Sequence, residues 1–278
     1  MSGNAKKIIA FNYFGGKFQM VQRLYDYFPN HHHFVDVFCG SMVVTLNKPI
    51  SSIDTANDIN GEVINFFRIL REKPEELLSK LYLTPVSRDE YNDSWNTDGC
   101  SDIERARRYY TRIRQSFYGL GAQRENKGWH LTKKNSRSHV SEVVSKWLNG
   151  IEKLLPVIDK LKHIQIENRD FRRLLPILDD KTTFFYCDPP YPRESRVSFH
   201  DYKFDFYDQD HRDLSDLLHS IKGKAMISGY ECDLMNDLYP DWTMVRLGGF
   251  CTISGKKGKE CIWMNYKKQA KDQIKLFE

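Results

Sequence analysis

Asp188-Pro189-Pro190-Tyr191 follows directly on the apolar run Thr183-Phe184-Phe185-Tyr186-Cys187. If that run is a buried strand, the four residues place a carboxylate, a rigid turn and an aromatic ring at its carboxyl end, where open α/β sheets carry their ligands. Two successive prolines fix φ and remove two backbone donors, so the turn is stiff and its carbonyls are free to accept hydrogen bonds. A planar substrate bearing an amino group suits such a pocket. The same four residues could also do no more than close an ordinary strand, and the rest of the chain must decide.

The elements that would position the turn alternate in type. Phe34 to Phe38 reads as a buried strand, broken at Cys39-Gly40-Ser41 and followed by a helix from Met42 to Leu46. A second strand is expected at Ser51 to Asp54, ending in Asn57-Asp58-Ile59-Asn60, with a helix from Glu62 to Leu70 behind it. A β-α-β-α order predicts a parallel, doubly wound sheet with its ligand at the strand ends. Further strands are expected at His163 to Ile166, 183–187 and Ala225 to Ser228. A hairpin pairing Thr243 to Leu247 with Glu260 to Asn265 closes the chain. The expected architecture is therefore α/β, Rossmann-like, with about seven strands, mostly parallel, and a C-terminal antiparallel hairpin.

Between about Lys73 and Lys160 strand signals nearly vanish and amphipathic helices take over. Ala106, Tyr109, Tyr110, Ile113 and Phe117 share one helical face, while Arg105, Arg108 and Arg112 share another. Val140 to Leu155 predicts a second helix, ended by Pro156, and Gly119 to Arg137 a basic loop between the two. The expected division is thus a main domain of residues 1–72 and 161–278, with a helical insertion over 73–160.

With 278 residues, 40% of them hydrophobic and 13% aromatic, the chain can bury a large core. No apolar run is long enough to span a bilayer, and no secretory leader is recognisable, so a soluble cytosolic protein is expected. The six cysteines form no Cys-x-x-Cys pair and read as buried free thiols. His31-His32-His33 has no partner cysteines or carboxylates at helical spacing, so no metal is expected there or elsewhere. The net charge of +5 conceals an asymmetry: Ser101 to Val140 holds ten Lys or Arg against three acids, giving +7, and the remainder carries −2. A cationic excess confined to one segment suits a polyanion such as nucleic acid.

Five segments occur in the order found in the Dam-type DNA N6-adenine methyltransferases, which this chain resembles over nearly its whole length outside the basic insertion. They are Asn12-Tyr13-Phe14-Gly15-Gly16-Lys17, Asp36-Val37-Phe38-Cys39-Gly40-Ser41, Asn57-Asp58-Ile59-Asn60, Asn168-Arg169-Asp170-Phe171 and Asp188-Pro189-Pro190-Tyr191. The family usually has a second glycine where this chain has Met42. The resemblance implies S-adenosylmethionine as methyl donor, no metal, and double-stranded DNA as partner. It places Tyr13, Lys17, Asp36, Phe38, Gly40, Ser41, Asp58, Asp170, Phe171 and Asp188 at the donor. Within that set, Lys17 suits the donor's carboxylate, Asp58 its ribose hydroxyls, and Asp170 with Phe171 its adenine. It also implies that Asp188, Pro189, Pro190 and Tyr191 hold an adenine flipped out of the duplex. Hydrogen bonds from N6 to Asp188 and to the Pro189 carbonyl draw the nitrogen lone pair out of ring conjugation. The insertion is then the target-recognition segment.

Arg105, Arg108, Arg112, Arg124, Lys127, Lys133, Lys134 and Arg137 are candidate DNA contacts as a group, with solvated surface charge as the alternative for any one of them. Arg193 and Arg196, with Phe199, Tyr202, Phe204, Phe206 and Tyr207, suit either a loop closing over DNA or a hydrophobic cluster tying that loop to the sheet. Among other acceptors, cytosine N4 and protein glutamine go with Ser or Asn in place of Asp188. RNA as acceptor and a catalytically idle nucleic-acid-binding protein remain alternatives.

Overall fold

The computed structural model describes residues 7–13, 16–117, 128–137, 139–195, 204–251 and 257–268. In chain order the strands are β1 (His33–Asp36), β2 (Ile53–Asn57), β3 (Ser136–Arg137), β4 (Val140–Ser141), β5 (Ile164–Glu167), β6 (Thr183–Cys187), β7 (Lys224–Tyr230), β8 (Thr243–Cys251) and β9 (Lys257–Met264). All but β3 and β4, which form a separate antiparallel ribbon, join one seven-stranded sheet in the order β5-β2-β1-β6-β7-β9-β8. Pairing is parallel from β5 across to β7, and antiparallel where β9 inserts between β7 and β8. The expected α/β sheet of seven strands with a C-terminal antiparallel pair is what the chain forms.

Side-chain alternation explains why both faces of this sheet are covered. In β6, Phe184 and Tyr186 point into one core with Phe34, Met226, Ile262 and Met264, while Phe185 and Cys187 point into another with Val35, Ala225, Ile227 and Trp263. A strand apolar at every position is stable only with helices on both sides. α1 (Val21–Tyr25), α2 (Val43–Asn47) and α3 (Gly61–Glu72) supply the first face. The second is covered by α9 (Phe171–Leu178), α10 (Asp208–Ser220) and α11 (Asp233–Leu238).

Between β2 and β5 the chain forms α4 (Pro74–Leu83), α5 (Arg88–Asp93), α6 (Asp102–Gln115), α7 (Glu142–Glu152) and α8 (Leu155–Leu161). α6 starts at Ser101, whose hydroxyl accepts from the Glu104 amide at 3.4 Å, and it buries Ala106, Tyr109, Tyr110 and Ile113 as its periodicity predicts. Phe117 departs from that face and is 48% exposed, because the helix stops at Gln115. Tyr109 and Tyr110 pack against Phe11, Phe66 and Phe67 in one continuous cluster, so the compositional change at 73 is not a break in the core.

Other boundaries shift for local reasons. β2 begins at Ile53 rather than Ser51, since the Lys48 ammonium holds the Pro49 carbonyl and the Ser51 hydroxyl in a turn at 2.9 and 2.7 Å. Pro156 does not end a helix: α7 stops at Glu152, and Pro156 lies in the first turn of α8, where a missing N–H leaves nothing unsatisfied. Cys39, Cys187 and Cys261 are buried, Cys100 and Cys232 are half-buried, and none of the five is in a disulfide. His31 bonds the Pro29 carbonyl and the Ser51 hydroxyl, and His33 bonds Thr55. Among the described residues no helix is long and apolar enough to cross a membrane, and no group of three or more His, Cys, Asp or Glu could hold a metal ion.

Candidate active site

β1 and β6 lie side by side and parallel, with Asp36 opposite Tyr186. After β1 the chain turns toward β2 on one side, and it returns at β6 to continue toward β7 on the other. The loops at their carboxyl ends therefore diverge, and a crevice opens between them. Tyr13, Lys17, Asp36, Phe38, Gly40, Ser41, Asp58, Asp188, Pro189, Pro190 and Tyr191 all line it. Residues as far apart in sequence as Tyr13 and Tyr191 thus meet at one topological switch point.

One wall is held together by asparagines that the sequence presents only as parts of motifs. The Asn57 side chain donates to the Val37 carbonyl (2.9 Å) and the Arg169 carbonyl (3.0 Å), and accepts from the Arg169 amide (2.9 Å), stapling the ends of β1, β2 and β5. Asn168 donates to the Asp58 carbonyl at 2.6 Å. Asp58 then uses one carboxylate oxygen to accept from the Gly40 amide (2.9 Å) and the other to accept from the Asn60 amide (2.8 Å). Each oxygen keeps a further lone-pair site, and Asp58 lines the crevice.

The turn after β1 needs two left-handed residues, Gly40 (φ 47°) and Met42 (φ 55°). A Cβ at Gly40 would lie 2.9 Å from the Tyr13 ring, so glycine is required there twice over. At Met42 the strain of a side chain in this region is on the order of 1–2 kcal/mol, whereas burying a methionine fully contributes more. Met42 is 0% exposed and packs in the core, which accounts for the missing second glycine.

Asp36, 1% exposed, accepts from the Thr45 hydroxyl at 2.6 Å through one oxygen, while Oδ1 is buried without a hydrogen-bond partner. Burial pushes its carboxyl up from 3.8 to about 7, against the opposing Thr45 hydrogen bond. Between those values only the unfolded chain gives up its proton, so stability falls across that window and the penalty is full above about pH 7. Asp36→Asn keeps an acceptor for Thr45 and removes the charge. It is expected to raise the unfolding free energy by about 1–3 kcal/mol at pH 8 and to change little near pH 4. Urea denaturation at both values checks this, and an equal change at each would contradict it.

The other wall is a network around the turn. Lys17, 3% exposed, donates to Asp188 Oδ1 (2.6 Å) and to the Tyr191 hydroxyl (2.6 Å), and lies 3.4 Å from Glu260 Oε1. Ser228, at the carboxyl end of β7, donates to the same Asp188 oxygen at 2.8 Å, and Tyr191 donates to Glu260. Burial, with two acids nearby, holds the Tyr191 hydroxyl well above the usual phenol range, so it keeps its proton. The resemblance places the Lys17 ammonium at a donor's carboxylate; in the fold it lines the crevice and engages the Asp188 turn. Neither Ser228 nor Glu260 is singled out by sequence reasoning. The available signal was period 2: Glu260 shares the inward face of β9 with Ile262 and Met264, where an acid needs a partner.

The remaining candidates lie elsewhere. Asp170 caps α9, accepting from the Arg172 amide (2.8 Å) and pairing with the Arg172 guanidinium, and Phe171 is buried behind Phe38 (5.9 Å) and beside Phe206. Neither lines the crevice. Arg112 is 7% exposed, between the Trp95 and Tyr109 rings, and donates to the Ser94 carbonyl. Arg105 pairs with Glu62 (2.5 Å), and Arg108 pairs with Glu104 (2.8 Å) and donates to the Asp93 carbonyl. These three arginines, expected on an open DNA-facing stripe, are engaged within the fold, partly by an acid from α3 outside the basic window. Lys133 and Lys134 are exposed just before the β3–β4 ribbon. Arg193 pairs with Asp205 and lies over the Tyr207 ring, Phe206 joins the core, and Phe204 lines the crevice. Arg124, Lys127, Arg196, Phe199 and Tyr202, and the Arg137 side chain, lie outside the described residues.

Comparison with known proteins places most of the chain in one family. The family model of D12 class N6 adenine-specific DNA methyltransferases matches residues 13–253, a span that begins at Tyr13 and contains the whole of both walls except β9. Similar proteins include the type II methyltransferase M1.LlaDCHI of Lactococcus lactis subsp. cremoris, 28% identical over 91% of this chain and 93% of its own length. Another is the DNA N-6-adenine-methyltransferase of Escherichia phage P1, 23% identical over 83% of this chain but only 31% of that longer protein. A crevice at the switch point of a seven-stranded sheet, with an Asp-Pro-Pro-Tyr turn on one wall, is thus matched by a family assignment over most of the sequence: the chain belongs to the D12 class N6 adenine-specific DNA methyltransferases.

Proposed function

We propose that this enzyme transfers a methyl group from S-adenosylmethionine to N6 of an adenine flipped out of double-stranded DNA, at a site chosen by the 73–160 segment. The observation that carries the proposal is the meeting of Asp36, Asp58 and Gly40 with Asp188 and Tyr191 around one crevice. The first wall fits the donor. Asp36 Oδ1 is a buried acceptor without a donor, suited to an ammonium group, and the Gly40 turn presents backbone without a side chain. Asp58 has lone pairs for ribose hydroxyls. Asp170 and Phe171 belong to the donor site in this proposal by supporting Phe38 from behind and fixing the start of α9.

When bound, S-adenosylmethionine supplies an electrophilic methyl on a sulfonium. The chain's own residues act on the acceptor. Lys17 and Ser228 both approach Asp188 Oδ1, so Oδ2 is the oxygen available to N6–H. As N6 bonds to the methyl carbon and the sulfonium C–S bond breaks, N6 sheds one proton, which Asp188 is placed to accept. Extrusion of the base is required because in the duplex N6 is paired and its ring faces are covered by stacked neighbours, so its lone pair cannot be approached in line. For the DNA surface we retain Lys133, Lys134 and Arg137 at the ribbon, with Arg124, Lys127, Arg193 and Arg196. Arg105, Arg108 and Arg112 act through the fold.

A titration with labelled S-adenosylmethionine tests the donor site. Asp58→Ala removes the acceptor that joins the β1 and β2 loops, and is expected to weaken donor binding by about 10- to 100-fold, the effect of losing one or two charge-assisted hydrogen bonds. Unchanged affinity in the folded variant would remove Asp58 from the donor site.

A further inference from the structure

Glu260 lies in β9 opposite Tyr230 of β7, and the Tyr230 ring meets Tyr191 edge-on at 4.8 Å. Its carboxylate is 8% exposed, on a strand face otherwise given to Ile262 and Met264. The sheet itself has no need of an acid there, and burial raises its carboxyl above the usual range, with Lys17 opposing. Two contacts account for its presence: it accepts from the Tyr191 hydroxyl and lies 3.4 Å from the Lys17 ammonium. Lys17 in turn reaches both the Tyr191 hydroxyl and Asp188 Oδ1. The two functional ends of the Asp188-to-Tyr191 turn are therefore tied to one carboxylate from a distant strand.

We propose that Glu260 is a positioning residue for methyl transfer, holding Lys17 and Tyr191 so that Asp188 presents Oδ2 to the acceptor amino group. The inference rests on Asp188 holding the acceptor adenine. Glu260 draws the ammonium toward β9 while Asp188 draws it toward the crevice, and the balance sets where Asp188 Oδ1 is pinned. In Glu260→Gln the charge is lost, Lys17 relaxes onto Asp188, and the carboxylate turns with it. Donor contacts on the opposite wall are untouched.

Single-turnover methyl transfer to duplex DNA, with labelled S-adenosylmethionine and the full chain, distinguishes positioning from simple burial of a counter-charge. Glu260→Gln is expected to slow the step by about 10- to 100-fold, as a displacement of roughly an ångström does, with donor and DNA affinities within about twofold of wild type. Glu260→Asp, which keeps the charge but withdraws it, is expected to fall between and serves if the glutamine variant does not fold. Because Glu260 acts in part through the Tyr191 hydroxyl, the effects of Glu260→Gln and Tyr191→Phe are expected to fall short of multiplying in the double variant. A transfer rate within about twofold of wild type for both Glu260 variants, or multiplying effects in the double variant, would overturn the inference. Asp188→Ala is the accompanying control: retained transfer there overturns the acceptor assignment and the role of Glu260 with it. An inactive Asp188→Ala beside a fully active Glu260→Gln overturns the role of Glu260 alone.

Discussion

Asp188→Ala is expected to lower methyl transfer by about three orders of magnitude while leaving DNA and donor affinity near wild type. N6 of adenine is a weak nucleophile because its lone pair is conjugated with the ring, so the acceptor of its N–H acts on the transition state more than on the bound ground state. Asp188 is only 18% exposed at its side chain, and one oxygen is fixed by Lys17 and Ser228. Water entering an alanine cavity would lack that fixed orientation. The loss should appear in kcat with KM for DNA little changed. Near-normal turnover would sink the assigned role of the turn.

Lys17→Met carries the largest expected effect on stability. The ammonium is 3% exposed between two acids, and methionine fills similar volume without charge. Breaking a buried ion pair from one side typically costs 3–5 kcal/mol; because Asp188 retains some contact with solvent, about 3 kcal/mol is expected. The sign with pH follows from Glu260, whose carboxyl burial already raises and Lys17 opposes. Without the lysine it rises further. A raised folded value destabilises fully above that value and ceases to do so as pH falls toward the unfolded value of 4.5. The deficit of Lys17→Met should therefore be largest at pH 8 and shrink toward pH 5 in urea denaturation. A deficit that grows in acid would contradict the network.

The turn at Asp188, the glycine at 40 and the carboxylate at 58 are legible in the sequence because each is a local device: a proline pair, a left-handed residue, an acid at a strand end. Strand β6 is equally legible, being apolar at every position and bounded by a turn. Glu260 and Ser228 are not, since they reach Asp188 only through the pairing of β7 with β6 and of β9 with β7. The basic stripe on α6 misleads for a related reason. Counting charges within a window cannot see that Glu62, on α3, packs against Arg105 and Arg112. Pro156 misleads because proline is compatible with the first turn of a helix as well as with the end of one. Asp170 reads as a ligand group and in the fold also caps α9, a second role that loop acids always carry.

In the proposed reaction the Asp188 turn presents adenine N6 to a sulfonium methyl. Duplex DNA of varied sequence, incubated with the purified chain and methyl-labelled S-adenosylmethionine and then digested to nucleosides, tests it most directly. Label is expected in N6-methyl-2′-deoxyadenosine and is lost in Asp188→Ala. Label in a cytosine nucleoside, or no label above background while the donor binds, would contradict it.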